Sequence, residues 1–219
     1  MRILFFYILI FILSACGSDS SNDNNPSRTL AEDTTNTTTN TNTPKKEFSY
    51  GTYQSICLSF GMYTSIPAYN DMGMILQEVF DKENKKHTQH AFVYNDRSCT
   101  TNLFKLSSYE YFTDDIEYDS NKDLYKVKLF FIKQTHTAAS TSVANGWNES
   151  NYMGINTWAD RVEIDTTGKN ADGSTFTPES ISYKIMKLSN GDTQLIQNEN
   201  SSTYPESLDY GYVFFKRNY

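Results

Sequence analysis

The sequence predicts an all-β domain, either a single antiparallel barrel or, as the alternative, a β-sandwich. About nine short segments show the period-two alternation or the β-branched and aromatic enrichment that is typical of strands. Polar turn clusters separate them, and Asn190-Gly191 is a strong hairpin signal because this pair readily adopts positive φ angles. Many short strands joined by polar turns indicate a barrel or a sandwich.

The predicted strands cover most of the chain after residue 50. They are 53–60, 74–80, 89–94, 104–112, 125–131, 161–165, 181–185, 193–197 and 212–216. Alternation is clearest in 125–131, where the odd-numbered residues are apolar. The same pattern in 181–185 places the odd-numbered residues toward the core and Lys184 toward solvent. The stretch 138–154 has no clear period and predicts a long loop or one short helix.

The N-terminus is typical of an export signal. It contains one positive charge, Arg2, an apolar run from residue 3 to 13, and small residues just before Cys16. The apolar run is too short for a membrane-spanning helix, which needs roughly 20 residues. An ordinary secreted protein with an accidental cysteine is the alternative interpretation.

The segment Leu13, Ser14, Ala15 and Cys16 resembles the lipobox of bacterial lipoproteins. The resemblance implies that residues 1–15 are a signal peptide, that the Cys16 sulfur carries a diacylglyceryl group, and that cleavage leaves Cys16 as an acylated N-terminus. Several acyl chains, of palmitate type, hold a protein on a membrane far better than one chain does. The expected partner of this end of the chain is therefore the membrane itself.

Residues 16–47 are predicted to be a disordered tether, and residues 48–219 the β-rich domain. The tether is rich in Ser, Asn, Asp and Thr, and such a stretch buries too little apolar surface to offset its conformational entropy. Gly17 and Ser18 resemble the pattern that sends Gram-negative lipoproteins to the outer membrane rather than retaining them at the inner membrane. The face of the membrane on which the domain lies stays open.

The chain is acidic, with a formal net charge of −7 at pH 7. It has no stripe of clustered Lys and Arg, so it is not expected to bind nucleic acid or to dock on anionic lipid.

Two cysteines remain after Cys16, namely Cys57 and Cys99. Export places them in an oxidising compartment, where an even number of thiols usually forms disulfides. We expect one bond between them, with Cα atoms about 4.4–6.8 Å apart. The bond closes a loop of roughly 40 residues and contributes about 3–4 kcal/mol in the chain-entropy model. A reactive thiol or a metal-binding pair is the alternative.

Residues suited to catalysis or metal binding are few. There is no Gly-x-Ser-x-Gly elbow, and Asp114-Asp115 is expected to be a solvated turn, so we predict no catalytic residue and no enzyme. There are three histidines, His87, His90 and His136, of which His87 and His90 are expected to be surface or barrel-rim residues. Residues three apart on a strand point to opposite faces, so His87 and His90 are not expected to share a metal.

The segment 119–123 imitates the start of an EF-hand loop but has no Gly at the sixth position, so it is expected to be a turn. No metal and no cofactor is therefore predicted.

Aromatic residues are the unusual feature of the composition, with 16 Tyr, 14 Phe and two Trp. Two groups are candidates for lining a glycan or apolar-ligand pocket: Tyr109, Tyr111 and Tyr118, and Trp147, Tyr152 and Trp158. The alternative, which we favour, is that these rings fill the core, because aromatic residues are good strand formers.

Two regions resemble small bacterial lipoproteins with a lipocalin-like β domain. The first is Gly51-Thr52-Tyr53-Gln54-Ser55-Ile56-Cys57, followed some forty residues later by Tyr94-Asn95-Asp96-Arg97-Ser98-Cys99-Thr100. The second is Gly191-Asp192-Thr193-Gln194-Leu195 with Tyr204-Pro205 and Leu208-Asp209. The resemblance implies one up-and-down barrel with adjacent first and last strands, in a family without assigned chemistry.

The interior of a lipocalin-like barrel can hold a small ligand. We therefore expect a membrane-anchored envelope protein that binds a small apolar or amphipathic ligand. The alternative is a structural or interaction protein of the envelope or cell surface with no internal ligand. A third candidate is an enzyme acting on glycans or lipids.

Overall fold

The computed structural model describes residues 46–60, 71–200 and 202–218. The predicted signal and lipidation residues 13–16, and the tether up to residue 45, lie outside these residues. Strands account for 52% of the described residues and helices for 8%, which confirms the all-β prediction.

The described residues form eleven strands and two short helices. The strands are β1 (Gly51–Ser55), β2 (Leu58–Ser59), β3 (Gly73–Asp81), β4 (Lys86–Tyr94), β5 (Asn102–Phe112), β6 (Glu117–Asp119), β7 (Leu124–Ala138), β8 (Glu163–Asp165), β9 (Ile181–Ser189), β10 (Gln194–Asn200) and β11 (Asp209–Arg217). The helices are α1 (Thr141–Glu149) and a 3-10 turn at Tyr152–Gly154. One short helix was among the alternatives for 138–154.

Eight antiparallel strands close into a barrel, in the order β1-β11-β10-β9-β7-β5-β4-β3 and back to β1. Strand β1 closes the barrel because it pairs on both sides. Tyr53 lies opposite Lys216 of β11 and opposite Glu78 of β3. The first and last strands are therefore adjacent. The other strands of the barrel pair in chain order, as in an up-and-down, lipocalin-like barrel. The barrel prediction is confirmed and the sandwich alternative is wrong.

Several strand bounds differ from the prediction. The predicted strand 53–60 is interrupted at residues 56 and 57, where β1 ends and β2 continues on β3. Strand β4 begins at Lys86 rather than at Gln89, and this brings His87 into the sheet. Strand β7 is 15 residues long because it has two sets of partners, β6 and then β5 along one side, and β9 and then β8 along the other.

The predicted facing of β9 is wrong. The structure turns Lys184 and Met186 inward, opposite Val127 and Tyr125 of β7, and Lys184 is fully buried. The strand extends four residues beyond the predicted end, and Met186 and Leu188 continue the inward face. Burial of these apolar side chains sets the register, and Lys184 follows because it shares their parity.

Two apolar clusters fill the two ends of the barrel. The first packs beneath α1 and includes Met74, Val93, Phe104, Ala138, Trp147, Tyr152, Met153 and Trp158. The second includes Phe48, Tyr53, Phe80, Phe112, Tyr125, Leu129, Met186, Leu195 and Phe214. Leu76 packs against both clusters, so it marks the level where they meet.

Helix α1 begins after Ser140, whose side chain accepts a hydrogen bond from the backbone N–H of Val143. Trp147 on its buried side lies over the first apolar cluster. Within the described part of the chain, neither helix is long and apolar enough to cross a membrane.

Cys57 and Cys99 form the predicted disulfide, with Cα atoms 5.9 Å apart. The bond joins the interruption between β1 and β2 to the turn between β4 and β5. In that turn the Asp96 carboxylate accepts backbone hydrogen bonds from Ser98, Thr100 and Thr101. The disulfide therefore links two places where regular strand pairing stops.

Candidate functional site

Five charged side chains meet inside the barrel, between the two apolar clusters. We call them the barrel ionic cluster: Glu78 of β3, His87 of β4, Glu110 of β5, Lys184 of β9 and Glu199 of β10. Each comes from a different strand, so only the closed barrel brings them together. Glu78 and Lys184 have no exposed side-chain surface, and His87 has almost none. Buried charges of this kind need partners, and the cluster supplies them.

His87 lies between two carboxylates. Its Nε2 is 2.5 Å from Glu78 Oε2, and its Nδ1 is 2.6 Å from Glu110 Oε2. An ionised carboxylate only accepts hydrogen bonds, so both ring nitrogens carry hydrogens and the ring is an imidazolium. Burial and the charge of Lys184 both act to lower the pKa of His87, but the two carboxylates outweigh them and the pKa is raised.

Glu78 is the most fully satisfied member of the cluster. Its Oε2 also lies 3.3 Å from Lys184 Nζ, while its Oε1 accepts from Gln89 Nε2 at 2.7 Å and from Gln197 Nε2 at 2.6 Å. Burial acts to raise the pKa of Glu78, but the charges of Lys184 and His87 and these hydrogen bonds outweigh it and hold the pKa far below its ordinary value. Glu78 therefore stays ionised.

Lys184 connects Glu78 to the far side of the cluster. Its Nζ is 3.0 Å from Glu199 Oε2 and 3.5 Å from His87 Nε2. Burial acts to lower the pKa of Lys184, but the charges of Glu199, Glu78 and Glu110 outweigh it and the pKa is raised. Burial likewise acts to raise the pKa of Glu199, but Lys184 outweighs it and the pKa is lowered. The cluster thus holds three carboxylates against two cations.

Water reaches part of this interior. Gln89 of β4 pairs with Ser108 of β5, and Ser108 pairs with Gln134 of β7, so the three share the inner face. All three are only half-buried, as is Leu76 on β3. The side chain of Glu199 is 24% exposed, in contrast to the fully buried Lys184 beside it. At this level several inward side chains keep contact with water.

The barrel wall is irregular beside β9 and β10, the strands that carry Lys184 and Glu199. Strand β7 pairs with β9 only as far as the Phe130–Ile181 pair and then with β8 from Thr135 onward. On the other side, the register of β10 with β11 shifts between residues 196 and 197. Regular pairing is therefore interrupted on the outer side of each of these two strands.

The expectation that His87 lies on the surface or the barrel rim is wrong, because His87 is buried, and His136 is buried as well. His87 is inside because β4 begins earlier than predicted, and His136 is inside because β7 continues past the predicted end at residue 131. Burial lowers the pKa of His136 to about 3, so this ring is neutral. Its Nδ1 is 2.8 Å from Thr166 Oγ1.

His90 lies on the opposite face of β4 from His87, as the strand geometry predicts. It is half-buried on the outer face, with Nδ1 2.8 Å from Ser107 Oγ, and burial lowers its pKa to about 4. Within the described residues, no group of three or more His, Cys, Asp or Glu side chains is arranged to hold a metal ion.

The rings of Trp147, Tyr152 and Trp158 pack against one another as core. The Trp147 ring centroid is 4.6 Å from that of Trp158 and 4.9 Å from that of Tyr152. Trp158 Nε1 also donates to the Tyr152 carbonyl oxygen. The core alternative is therefore correct for this group.

The other aromatic group does not form a pocket. Tyr109 donates to Glu163 on the outer face, Tyr111 stacks on Phe130, and Tyr118 packs on Tyr125.

The acidic turns lie outside the barrel. Asp115 is exposed and pairs with Lys85, and Asp114 is exposed beside it. Asp119 accepts backbone hydrogen bonds from Asn121 and Lys122, which makes 119–123 the predicted turn between β6 and β7. None of these groups joins the barrel ionic cluster.

The barrel ionic cluster is not among the sites that the sequence predicts. One signal was present, because Glu78 has the same parity as Met74, Leu76 and Phe80 and must therefore share their inward face. Lys184 likewise has the same parity as Met186 and Leu188, so it must share their inward face. No protein-family model matches this chain, and no curated protein is significantly similar to it.

Proposed function

We propose that this protein is a lipid-anchored lipoprotein of the cell envelope whose barrel binds a small amphipathic ligand, with no catalytic role. The observation that supports binding is the layered interior. Apolar clusters occupy the two ends of the barrel, and a charged layer with water-accessible side chains lies between them. A concave, mostly apolar interior with a few convergent polar groups is typical of small-molecule sites.

The charged layer favours an amphipathic ligand over a purely apolar one. A hydrocarbon placed beside Glu199 displaces water from a carboxylate and offers no hydrogen bond in return, which is costly. A ligand with a polar group at this level and an apolar part against Leu76 and Leu106 avoids that cost. Both leucines are half-buried and pack against the first apolar cluster.

The anchor is supported by the lipobox-like segment 13–16, which follows an export signal. Gly17 and Ser18 favour the outer membrane as the destination. Changing Cys16 to Ser removes the acceptor sulfur, so cells labelled with radioactive palmitate should label the native protein and not C16S. An unlabelled native protein contradicts the anchor and leaves the fold unaffected.

Binding is tested with the lipidated full chain in lipid nanodiscs, using empty nanodiscs as the blank. Short amphiphiles with a common six-carbon tail, hexylamine, hexan-1-ol and hexanoate, partition weakly into the bilayer and suit calorimetric titration. We expect at least one of them to bind saturably.

Ser108→Leu fills the inner face of the barrel and should abolish this binding. The control is Thr88→Leu, on the outer face opposite Tyr109, which should bind normally. Thermal melting checks that both variants fold. If none of the three amphiphiles binds, or if both variants bind normally, the interior is not a ligand site and a structural role in the envelope replaces this proposal.

A further inference from the structure

We infer that the polar group of the ligand is an organic cation with N–H donors, such as a primary ammonium group, held by the carboxylate of Glu199. This inference rests on the proposed ligand-binding function and specifies the chemistry of that same site.

The donors of the barrel ionic cluster are already in use. Both N–H groups of His87 bind carboxylates, and Lys184 lies between Glu78 and Glu199. The Lys184 side chain is 0% exposed, so it offers nothing to a ligand that enters from the water-accessible side. A ligand carboxylate or phosphate therefore finds no free cation here.

The acceptors, in contrast, are incompletely used. Gln197 is buried, and its Oε1 has no hydrogen-bond partner, whereas its Nε2 donates to Glu78. The orientation of this amide is fixed, because the Glu78 carboxylate accepts only from the nitrogen. An unpartnered buried carbonyl is costly, and a donor brought to it stabilises the site.

The most exposed member of the cluster is also a carboxylate. The Glu199 side chain is 24% exposed, whereas both cations are buried. With three carboxylates against two cations, the formal charge of the cluster is −1. A bound monocation brings this charge to zero, and a bound anion increases the imbalance.

The test compares the three six-carbon probes on the wild-type protein in nanodiscs. Hexylamine should bind about tenfold or more tightly than hexan-1-ol, because charge-assisted hydrogen bonds are roughly twice as strong as neutral ones. Hexanoate should not bind measurably. If hexanoate binds as tightly as hexylamine, or more tightly, the cation inference fails and the ligand-binding function stands.

A variant of Glu199 tests which group holds the cation. Glu199→Gln keeps the shape of the side chain and should weaken hexylamine about tenfold while leaving hexan-1-ol unchanged. The matched control is Glu163→Gln on the outer face, where Glu163 contacts Lys105 and Lys133, and its hexylamine affinity should not change.

Unchanged hexylamine affinity in Glu199→Gln overturns the inference. Failure of all three probes on the wild type overturns the proposed binding function itself. The wild-type comparison does not depend on whether the variants fold, so the inference can be tested in either case.

Discussion

Glu78 and Lys184 are 106 residues apart in the chain and 3.3 Å apart inside the barrel, and neither side chain is exposed. No local element holds them together, since Glu78 lies on β3 and Lys184 on β9. Their contact forms only when the sheet closes. The stability of the closed barrel and the ionisation of its interior are therefore linked.

Removing one charge from this pair should be strongly destabilising. In Lys184→Met, the carboxylates of Glu78 and Glu199 lose their shared cation, and the free energy of unfolding should fall by about 3–5 kcal/mol. The control is Lys187→Met on the same strand, where a partly exposed Lys pairs with Asp123 and the loss should be about 1 kcal/mol or less. Urea denaturation measures both, and equal losses would contradict the proposed role of the cluster.

Stability should depend on pH through His87. The pKa of His87 is raised in the folded protein, whereas the unfolded value is about 6.5. Its contribution is fully present below that unfolded pKa and is lost as the pH rises through the folded pKa. The groups that face it are Glu78, Glu110, Lys184 and, across Lys184, Glu199. Above neutral pH, urea unfolding should therefore show declining stability, and His87→Gln should show less of this decline.

The carboxylates of Glu78 and Glu199 should make stability depend on pH in the acidic range. The pKa values of Glu78 and Glu199 are lowered by folding, so their contributions to stability are lost as the pH falls below the unfolded pKa of about 4.5.

The His87 prediction has a clear counter-result. If His87→Gln lost stability above neutral pH as steeply as the wild type, the His87 imidazolium would not be responsible for that loss.

Loss of the disulfide should lower stability without changing the fold. Replacing Cys57 and Cys99 with Ser opens a loop with a sequence separation of 42 and should lower the free energy of unfolding by about 3–4 kcal/mol. Circular dichroism should still report the β-rich spectrum. Alkylation of the unreduced, unfolded wild type checks the bond directly, and free thiols would contradict it.

Gly73 should not tolerate a side chain, for reasons of space. A Cβ at this position would lie 2.5 Å from the Asp96 carbonyl oxygen and 2.7 Å from Cys99 Sγ, so backbone or disulfide must move. Gly73→Ala should cost about 1–3 kcal/mol by overpacking. In Gly146→Ala on α1, the new Cβ meets nothing within 4 Å, and the substitution should stabilise the helix by up to about 1 kcal/mol. Thermal melts that rank the two variants in the opposite order would contradict this explanation.

The barrel was predictable from the sequence because its signals are local. Alternation in 125–131 and the Asn190-Gly191 turn each need only a few neighbouring residues. Closure was also predictable, because the pairing of Tyr53 with β11 removes two exposed apolar edges. The disulfide was predictable because export places the chain in an oxidising compartment and because two cysteines remain after Cys16.

The barrel ionic cluster was not predictable in the same way. Its members come from five strands, and a single Lys in a polar–apolar alternation is normally exposed, so Lys184 was placed outside. Its true position depends on the full length of β9, which ends at Ser189 instead of Ile185. The place of His87 in the sheet depends in turn on where β4 begins. Errors of three or four residues in strand bounds were enough to hide the site.

The charged layer has a consequence for how the strands find their partners. Apolar alternation excludes a shift of one residue between neighbouring strands, because every side chain changes face, but it tolerates a shift of two. A two-residue shift of β9 against β7 moves Lys184 away from Val127 by about 7 Å along the strand and leaves Glu78 buried without its cation. Such a shift keeps every apolar residue inside and still loses the ion pairs. The layer thus discriminates among alignments that hydrophobicity alone treats as equal, and it selects one pairing for the whole barrel.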